Sequence, residues 1–156
     1  PRHAELIAKV REAGCAIRLI GDGDIAGVIH CSDPDDTGID IYMGIGGAPE
    51  GVLAASALRC VGGQMQGRLI LDTPEKRQRA RKMGIEEPDK VYTMEEMASG
   101  DVYFSATGVT DGNLLQGVRF GKGWIGTHTV VMRSSTGTVR HIKAPHTDLS
   151  KFHLDD

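Results

Sequence analysis

The stretch "IDIYMGIGGAPEGVLAASALRCVGG", residues 39–63, decides the fold prediction, because an apolar run passes through several glycines into an amphipathic segment. Residues 39–45 have the apolar content of a β-strand. A helix is predicted to follow, with Pro49 in its first turn and Gly62 just past its end. Its apolar stripe is predicted to contain Leu53, Ala54, Ala57, Leu58 and Val61. A strand, a glycine turn and a helix in succession indicate an α/β protein.

The same alternation extends outward from this stretch. Further helices are predicted within residues 3–14, 73–84 and 93–98, strands within 15–21, 64–71 and 101–109, and a short helix or strand within 22–31. Residues 126–144 alternate with period two on both sides of "SSTG", which is typical of a β-hairpin. No linker or internal repeat interrupts the pattern. We therefore expect one α/β domain over residues 1–156, with a sheet flanked by helices and a C-terminal β-hairpin.

Composition excludes several classes of function. The formal charge of -3 and the isoelectric point near 6.1 leave no basic field, so neither nucleic acid nor a membrane surface is an expected partner. No apolar run approaches the length of a membrane span, and the first residues lack the apolar stretch of a signal peptide. Three cysteines without a CxxC pair favour a reducing compartment, and we expect a cytoplasmic protein. The chain does not begin with methionine, and we expect it to be part of a longer protein.

The glycine turn "GIGGAPEG", residues 44–51, is the first candidate site. A strand that ends in glycines and enters a helix presents backbone N–H groups and the positive end of the helix dipole, where anions bind. The alternative is a tight turn whose glycines serve packing alone, since the pattern is neither a Walker A loop nor a regular GxGxxG. Glu50 is either an ordinary first-turn acidic residue or a ligand for a divalent cation that bridges to a phosphate.

Two further stretches offer polar ligands. "GDGD", residues 21–24, follows a predicted strand, where open α/β sheets bind their ligands, so Asp22 and Asp24 are candidates for sugar hydroxyls or a metal. The alternative is a turn in which Asp24 caps the next helix. Arg2 could clamp a phosphate with its planar guanidinium or stay solvated.

Three other polar segments favour simpler interpretations. The loop "SATGVTDGNLLQGV", residues 105–118, offers Thr107, Thr110 and Asp111, but on its own it predicts a turn. "DPDDTG", residues 33–38, resembles an acidic metal loop and is predicted to be a connector. The basic run in residues 75–84 lacks interleaved aromatic residues and is followed by acidic ones, so we predict a solvated helix face.

Taken in order, "PRHAEL", "RLIGDGDIAG", "GIGGAPEGVLAASALRCVGGQMQGRL", "FSATGVTDGNLLQGVR" and "VVMRSSTGTVR" closely resemble the C-terminal half of class II fructose-1,6-bisphosphatases. The resemblance covers nearly the whole chain, and its motifs are long and consecutive. It implies the second domain of a sugar-phosphatase fold from the lithium-sensitive, metal-dependent superfamily. The implied reaction is removal of the 1-phosphate from fructose 1,6-bisphosphate in gluconeogenesis. Cyanobacterial relatives of this type also accept sedoheptulose 1,7-bisphosphate.

The resemblance also assigns individual residues. It implies that the substrate is bound by Pro1, Arg2, Asp22, Gly23, Asp24 and Gly47. Glu50 matches the metal-ligating glutamate of the family, and the implied cofactor is Mg²⁺ or Mn²⁺. No catalytic residue is assigned within this chain. On this basis the glycines admit the sugar bisphosphate, and the carboxylate helps to hold the cation.

The chain departs from the family pattern in length, because the family's N-terminal half, which carries most of the metal ligands, is absent. "DPDDTG" does not replace the acidic metal motif of that half. We therefore expect the N-terminal half of the same enzyme as a partner, a homo-oligomer as the assembly, and no activity from the isolated chain. The alternatives are a sugar-phosphate binding or regulatory module without catalysis and a Rossmann-like nucleotide binder, against which the lack of GxGxxG argues.

Overall fold

The structure is a computed structural model that describes residues 2–152, and it shows a mixed α/β fold. The helices are α1 (Ala4–Glu12), α2 (Asp24–His30), α3 (Pro34–Thr37), α4 (Ala48–Val61), α5 (Pro74–Lys82) and α6 (Met94–Met97). The strands are β1 (Gln66–Arg68), β2 (Val91–Thr93), β3 (Tyr103–Thr107), β4 (Arg119–Gly121), β5 (Trp124–Arg133) and β6 (Thr138–His146). Short 3₁₀ turns cover Ser134–Thr136 and Ser150–Phe152.

The larger sheet is organised around the long strand β5. Along one edge, β6 pairs antiparallel with β5 from Ile125↔His146 to Arg133↔Thr138. Along the other edge, β3 pairs with the second half of β5, and β4 pairs with its first three residues. The loop between β3 and β4 therefore leaves this edge and returns to it. A separate two-stranded sheet joins β1 to β2, also antiparallel.

Helix α4 links the sheet to the rest of the fold. Its Ala57 and Cys60 pack with Phe104, Val130 and Met132 of the sheet in the main core cluster. Its Ala54, Ala55 and Leu58 form a second cluster with Val28 of α2 and Met94 of α6. Small alanine side chains on both faces let α4 approach the sheet and α2 closely, because an alanine keeps the helix backbone near its neighbours. This packing fixes the position of the N-terminal end of α4.

Several sequence predictions are confirmed. Helices α1, α4, α5 and α6 lie where the periodicity places them, and the predicted helix or strand after "GDGD" is the helix α2. The predicted hairpin is β5 and β6, joined by a 3₁₀ turn in which Gly137 has a φ of 58°. This left-handed value suits the glycine of the "SSTG" turn. The connector "DPDDTG" forms the single helical turn α3, with Asp33 accepting a hydrogen bond from the Asp36 N–H at 3.4 Å.

The predicted strands at residues 15–21 and 39–45 are corrected by the structure, because neither segment is hydrogen-bonded into a sheet within residues 2–152. Both run without helix or strand, and most of their apolar side chains are exposed, including Leu19 at 65% and Ile41 at 64%. A strand requires a neighbouring strand for its N–H and C=O groups, and the apolar pattern alone cannot supply one.

Smaller corrections concern the extent and burial of other elements. The strand predicted over residues 64–71 is reduced to β1, and the short strands β2 and β4 were not predicted. Leu53 was placed on the buried stripe of α4, but it is 47% exposed. The helix packing seen on the larger sheet comes from α4, whose core contacts lie on the face that carries Phe104 and Val130. On the opposite face, Thr107 and Thr129 share a hydrogen bond between their exposed hydroxyls at 2.8 Å.

Candidate functional site

The N-terminal end of α4 carries the glycine turn and Glu50. Gly47 precedes the helix in an extended conformation, and its N–H donates a hydrogen bond to Glu50 Oε2 at 2.8 Å. A Cβ at position 47 would overlap Glu50 Oε2, so the glycine is needed for this close approach. The predicted free N–H at Gly47 is therefore taken by the glutamate of the same turn. Glu50 acts as the N3 half of a capping box and holds its carboxylate over the turn.

The turn is also where Asp24 and Glu50 meet. A Cβ built on Gly46 would lie 3.1 Å from Asp24 Oδ2 and 3.9 Å from Glu50 Oε2. Asp24 is the first residue of α2, and α2 packs against α4, so the helix packing brings the two carboxylates to one glycine. The structure thus places the sugar-binding candidate and the metal-ligand candidate side by side.

Gly23 and Asp22 shape the start of α2. Gly23 has a φ of 82°, a left-handed conformation that side chains rarely adopt, and it is the N-cap of the helix. Asp22 Oδ1 accepts a hydrogen bond from the Gly23 N–H at 2.7 Å. The Asp22 carboxylate is therefore directed at its own turn and is exposed, whereas Asp24 is half-buried and directed at the glycine loop.

The N-terminal segment is tied to the same loop by His3, which the sequence did not single out. The Ile45 N–H donates a hydrogen bond to His3 Nε2 at 2.9 Å, across 42 positions of the chain. This acceptor role requires a neutral ring that carries its proton on Nδ1. The contact brings the exposed Arg2 to the loop. Pro1 lies outside the described residues.

Tyr42 is a second site residue that the sequence did not reveal. Its pKa is raised to about 12, mainly by burial and also by the neighbouring Asp24 and the charge of Glu50, against the lowering effect of Arg2. These four side chains therefore share one electrostatic environment. A tyrosine inside an apolar run carries no signal of such a role, because its partners lie on other segments.

The loop of residues 105–118 does not join this site. Its contacts are with the larger sheet, where the Gly108 N–H donates to the His128 carbonyl at 3.0 Å and the Gln116 N–H donates to His128 Nδ1 at 3.0 Å. Asp111 closes the loop by accepting hydrogen bonds from the Gly117 N–H and the Arg119 side chain. The predicted turn corresponds to residues 108–118, because residues 105–107 belong to β3, where the Thr107 hydroxyl contacts Thr129. Asp111 serves the loop itself.

A shallow cavity of about 220 Å³ lies on the larger sheet, beside the loop just described and outside the glycine turn. Arg119, Trp124, His128 and Lys143 contribute to its lining. Burial and the nearby Lys143 and His141 lower the pKa of His128. The predicted site residues within 2–152 contribute nothing to this cavity.

Among residues 2–152, no group of three or more His, Cys, Asp or Glu side chains is placed to hold a metal ion. Glu50, the predicted metal ligand, lies beside Asp24 without a third such side chain in that part of the chain. Over the same residues, none of the helices has the length and hydropathy needed to cross a membrane. The three cysteines are free thiols, with Cys15 exposed and Cys60 buried.

Comparisons with known proteins cover almost the whole chain. A family model described as "Bacterial fructose-1,6-bisphosphatase, glpX-encoded" matches residues 1–146. An enzyme of Synechococcus sp. (strain JA-3-3Ab), named D-fructose 1,6-bisphosphatase class 2/sedoheptulose 1,7-bisphosphatase, is 47% identical over 158 residues, covering 93% of this chain and 45% of the relative. A protein of the same name from Crocosphaera subtropica (strain ATCC 51142 / BH68) is 45% identical, covering 94% of this chain and 46% of the relative. The chain thus spans less than half the length of these relatives.

Proposed function

Since this chain belongs to the bacterial fructose-1,6-bisphosphatase family, we propose that it forms the C-terminal, substrate-binding half of a metal-dependent sugar-bisphosphate phosphatase. The proposed reaction is hydrolysis of the 1-phosphate of fructose 1,6-bisphosphate. Sedoheptulose 1,7-bisphosphate is proposed as a second substrate, because the names of the matched relatives include that activity.

The observation that carries this proposal is the convergence of Asp24 and Glu50 on Gly46, at 3.1 Å and 3.9 Å from its would-be Cβ. Asp24 accepts hydrogen bonds from sugar hydroxyls, while the absence of a side chain at Gly46 lets the sugar approach the backbone. Arg2, brought to the loop by His3, pairs with a phosphate through its planar guanidinium. Asp22, Gly23 and Gly47 complete the substrate-binding set, together with Pro1.

Glu50 suits a divalent cation. Carboxylate oxygens are ligands that Mg²⁺ and Mn²⁺ prefer. One of its oxygens, Oε2, accepts the Gly47 N–H, and the carboxylate keeps a second oxygen for a cation. When bound, the cation supplies charge neutralisation at the phosphate and activates the attacking water. Two cations, as such chemistry commonly uses, require more ligands than Glu50 provides, so the N-terminal half of the enzyme is proposed to contribute the others.

The exposed apolar segments support a missing partner half. Residues 15–20 and 39–45 lead into "GDGD" and into the glycine turn, the two elements of the proposed site. Their exposed apolar side chains are Leu19, Ile20, Ile41, Met43 and Ile45. Exposed apolar side chains on segments that belong to no sheet form the kind of surface that an added strand or sheet covers. We assign this surface to the remaining half of the enzyme, which the length of the relatives implies.

The proposed setting is the cytoplasm, where three free thiols stay reduced, and the proposed assembly is a homo-oligomer of complete enzymes. Light scattering on the enzyme reconstituted from both halves measures the assembly directly.

The test is reconstitution. The 156-residue chain is fused to the part of the Synechococcus relative that it does not cover, and phosphate release from fructose 1,6-bisphosphate is measured with Mg²⁺ and with Mn²⁺. We expect turnover from this reconstituted enzyme and negligible turnover from the isolated chain. Substantial activity of the rigorously purified isolated chain contradicts the shared site. A folded fusion that binds the sugar bisphosphate without turnover supports the alternative of a binding or regulatory module.

A further inference from the structure

Trp124, the only tryptophan of the chain, lies across the backbone of two glycines at the start of β5. A Cβ on Gly121 would overlap the indole at Nε1 and Cε2, and a Cβ on Gly126 would lie 2.7 Å from its Cζ3. A side chain at either position would therefore push the ring away. The two glycines let the indole rest on the sheet, and 40% of Trp124 stays exposed.

The indole lines the shallow cavity of about 220 Å³ together with two cations, Arg119 and Lys143. Arg119 lies beside the ring, because its Cβ is 3.5 Å from the position that a Cβ on Gly126 would take. One of its terminal nitrogens donates to Asp111 at 2.6 Å, which leaves further N–H groups of the guanidinium for a ligand. Lys143 forms no salt bridge with another residue of 2–152. Among those residues, no Asp or Glu lines the cavity.

His128 lines the same cavity and is uncharged at neutral pH. Its Nδ1 accepts the Gln116 N–H at 3.0 Å, so its proton is on Nε2, which faces His141 Nδ1 at 3.4 Å. Burial and the nearby Lys143 and His141 lower its pKa. The charge of the cavity therefore comes from the guanidinium and the ammonium. In a chain whose formal charge is -3, this is a local positive field that attracts an anion.

Size and chemistry narrow the class of anion. A volume of about 220 Å³ is below the roughly 300 Å³ at which ligand pockets for drug-sized molecules begin, so the ligand is small. A phosphate monoester carries nearly two negative charges at pH 7, which matches two cations. The guanidinium of Arg119 pairs with phosphate oxygens, and Lys143 adds a point charge. Trp124 offers an apolar face and Gln116 an exposed amide, which suit the C–H face and the hydroxyls of a sugar ring.

We propose that this cavity is a binding site for a sugar monophosphate, with the phosphate between Arg119 and Lys143 and one face of the sugar on Trp124. The inference goes beyond the proposed function and does not depend on it, because none of the proposed substrate-binding residues within 2–152 lines the cavity. Gln116 belongs to the loop before β4, so the ligand would link that loop to the hairpin of β5 and β6.

The experiment uses glucose 6-phosphate as the probe, because it is a sugar monophosphate and not a substrate of the proposed reaction. It is titrated into the 156-residue chain while tryptophan emission is recorded, and the single tryptophan makes that emission a local reporter. We expect a saturable change. Inorganic phosphate and glucose should each bind at least about 10-fold more weakly, since each supplies only part of the contacts.

Lys143→Gln tests the cavity directly, because it removes one cation from an exposed side chain and should leave the fold intact. The Kd for glucose 6-phosphate should rise at least about 10-fold, the loss typical of a contact between charged groups. The matched control is Lys122→Gln, which removes the same charge from the turn between β4 and β5, outside the cavity lining. That control should keep Kd within about 2-fold, because an exposed charge without contact is screened by salt.

Calorimetric titration of the reconstituted enzyme and its Lys143→Gln variant repeats the test with both halves present, whatever the stability of the isolated chain. A loss of affinity in Lys143→Gln alone supports the site. The proposal is overturned if glucose 6-phosphate does not bind, if Lys143→Gln leaves its Kd unchanged, or if the reconstituted enzyme shows no difference between the two forms. Inorganic phosphate binding as tightly as glucose 6-phosphate refutes the contact with the sugar. A Kd that responds to Arg2→Ala and not to Lys143→Gln places the ligand at the glycine turn, which overturns this proposal and leaves the proposed function intact.

Discussion

Glu50→Gln tests whether the carboxylate at the start of α4 is a metal ligand or only a helix cap. The amide oxygen of glutamine can still accept the Gly47 N–H that Glu50 Oε2 accepts at 2.8 Å. The change replaces a hydrogen bond to a charged group by a neutral one, which lowers stability by about 1 kcal/mol. For a domain of this size, that corresponds to a fall in Tm of roughly 3 °C. The fold should therefore survive.

Turnover should respond far more strongly. A cation at the phosphate supplies several kcal/mol of transition-state stabilisation, so loss of one charged ligand should reduce metal-dependent turnover of the reconstituted enzyme at least about 100-fold. Phosphate release is measured over a range of Mg²⁺ and Mn²⁺ concentrations. Removing the Glu50 charge should also lower the pKa of Tyr42, which an ultraviolet titration of the tyrosines detects.

Glu96 offers a matched control within the same chain. It occupies the corresponding position in α6, where its Oε2 accepts a hydrogen bond from the Thr93 N–H at 2.9 Å. Glu96→Gln also weakens an ion pair with Lys90, so it should lower Tm while leaving turnover unchanged. If Glu50→Gln behaves in the same way, with a near-normal rate at ordinary metal concentration, then Glu50 is a capping residue and its assignment as a metal ligand is wrong.

Four further predictions concern the candidate site and the loop before β4. Asp24→Ala should raise KM for the sugar bisphosphate about 10- to 100-fold without changing the metal requirement. Arg2→Ala should weaken the binding of phosphate-bearing ligands more than that of unphosphorylated analogues. Calorimetric titration with a substrate analogue and with Mn²⁺ distinguishes these effects. Gly46→Ala should raise KM several-fold with little change in Tm, because its Cβ would press on Asp24 Oδ2 at 3.1 Å, and an unchanged KM refutes the crowding argument. The side-chain hydrogen bond from Arg119 holds the pKa of Asp111 below its usual value. The contribution of Asp111 to loop closure is therefore present above about pH 4 and is lost as the pH falls through the lowered pKa. Asp111→Asn should remove this acid dependence, measured by amide exchange at the loop.

The sequence predicted the elements whose causes are local. Pro49, the apolar spacing of α4 and Gly62 define a helix without reference to the rest of the chain, and the alternation around "SSTG" defines the hairpin in the same way. The segments at 15–21 and 39–45 carry equally strong apolar patterns, yet a strand also needs a neighbour, and residues 2–152 provide none. Short strands such as β4 exist only because β5 offers an edge to "RFG".

The residues of the candidate site show the same distinction between local and distant causes. Glu50, Asp24 and Arg2 were found because their motifs are contiguous in the sequence. His3 and Tyr42 were missed because the groups that act on them, the Ile45 N–H on His3 and the Asp24 carboxylate on the pKa of Tyr42, lie on segments that only the folded chain brings together. Composition and spacing contain no record of such distant contacts.

Helix α4 packs against the sheet around its middle and carries Glu50 near its beginning, so a small tilt of the packed part moves the Glu50 carboxylate. Ala57 is fully enclosed against the sheet, seven residues or about 10 Å along the axis from Glu50. A tilt of about 5° at that anchor displaces the carboxylate by about 1 Å, a misplacement that can cost an enzyme on the order of 100-fold in rate. A larger side chain at Ala57, or a smaller one at Met132 in the same cluster, would thus shift the position of the glycine turn, although none of the proposed substrate-binding residues is changed.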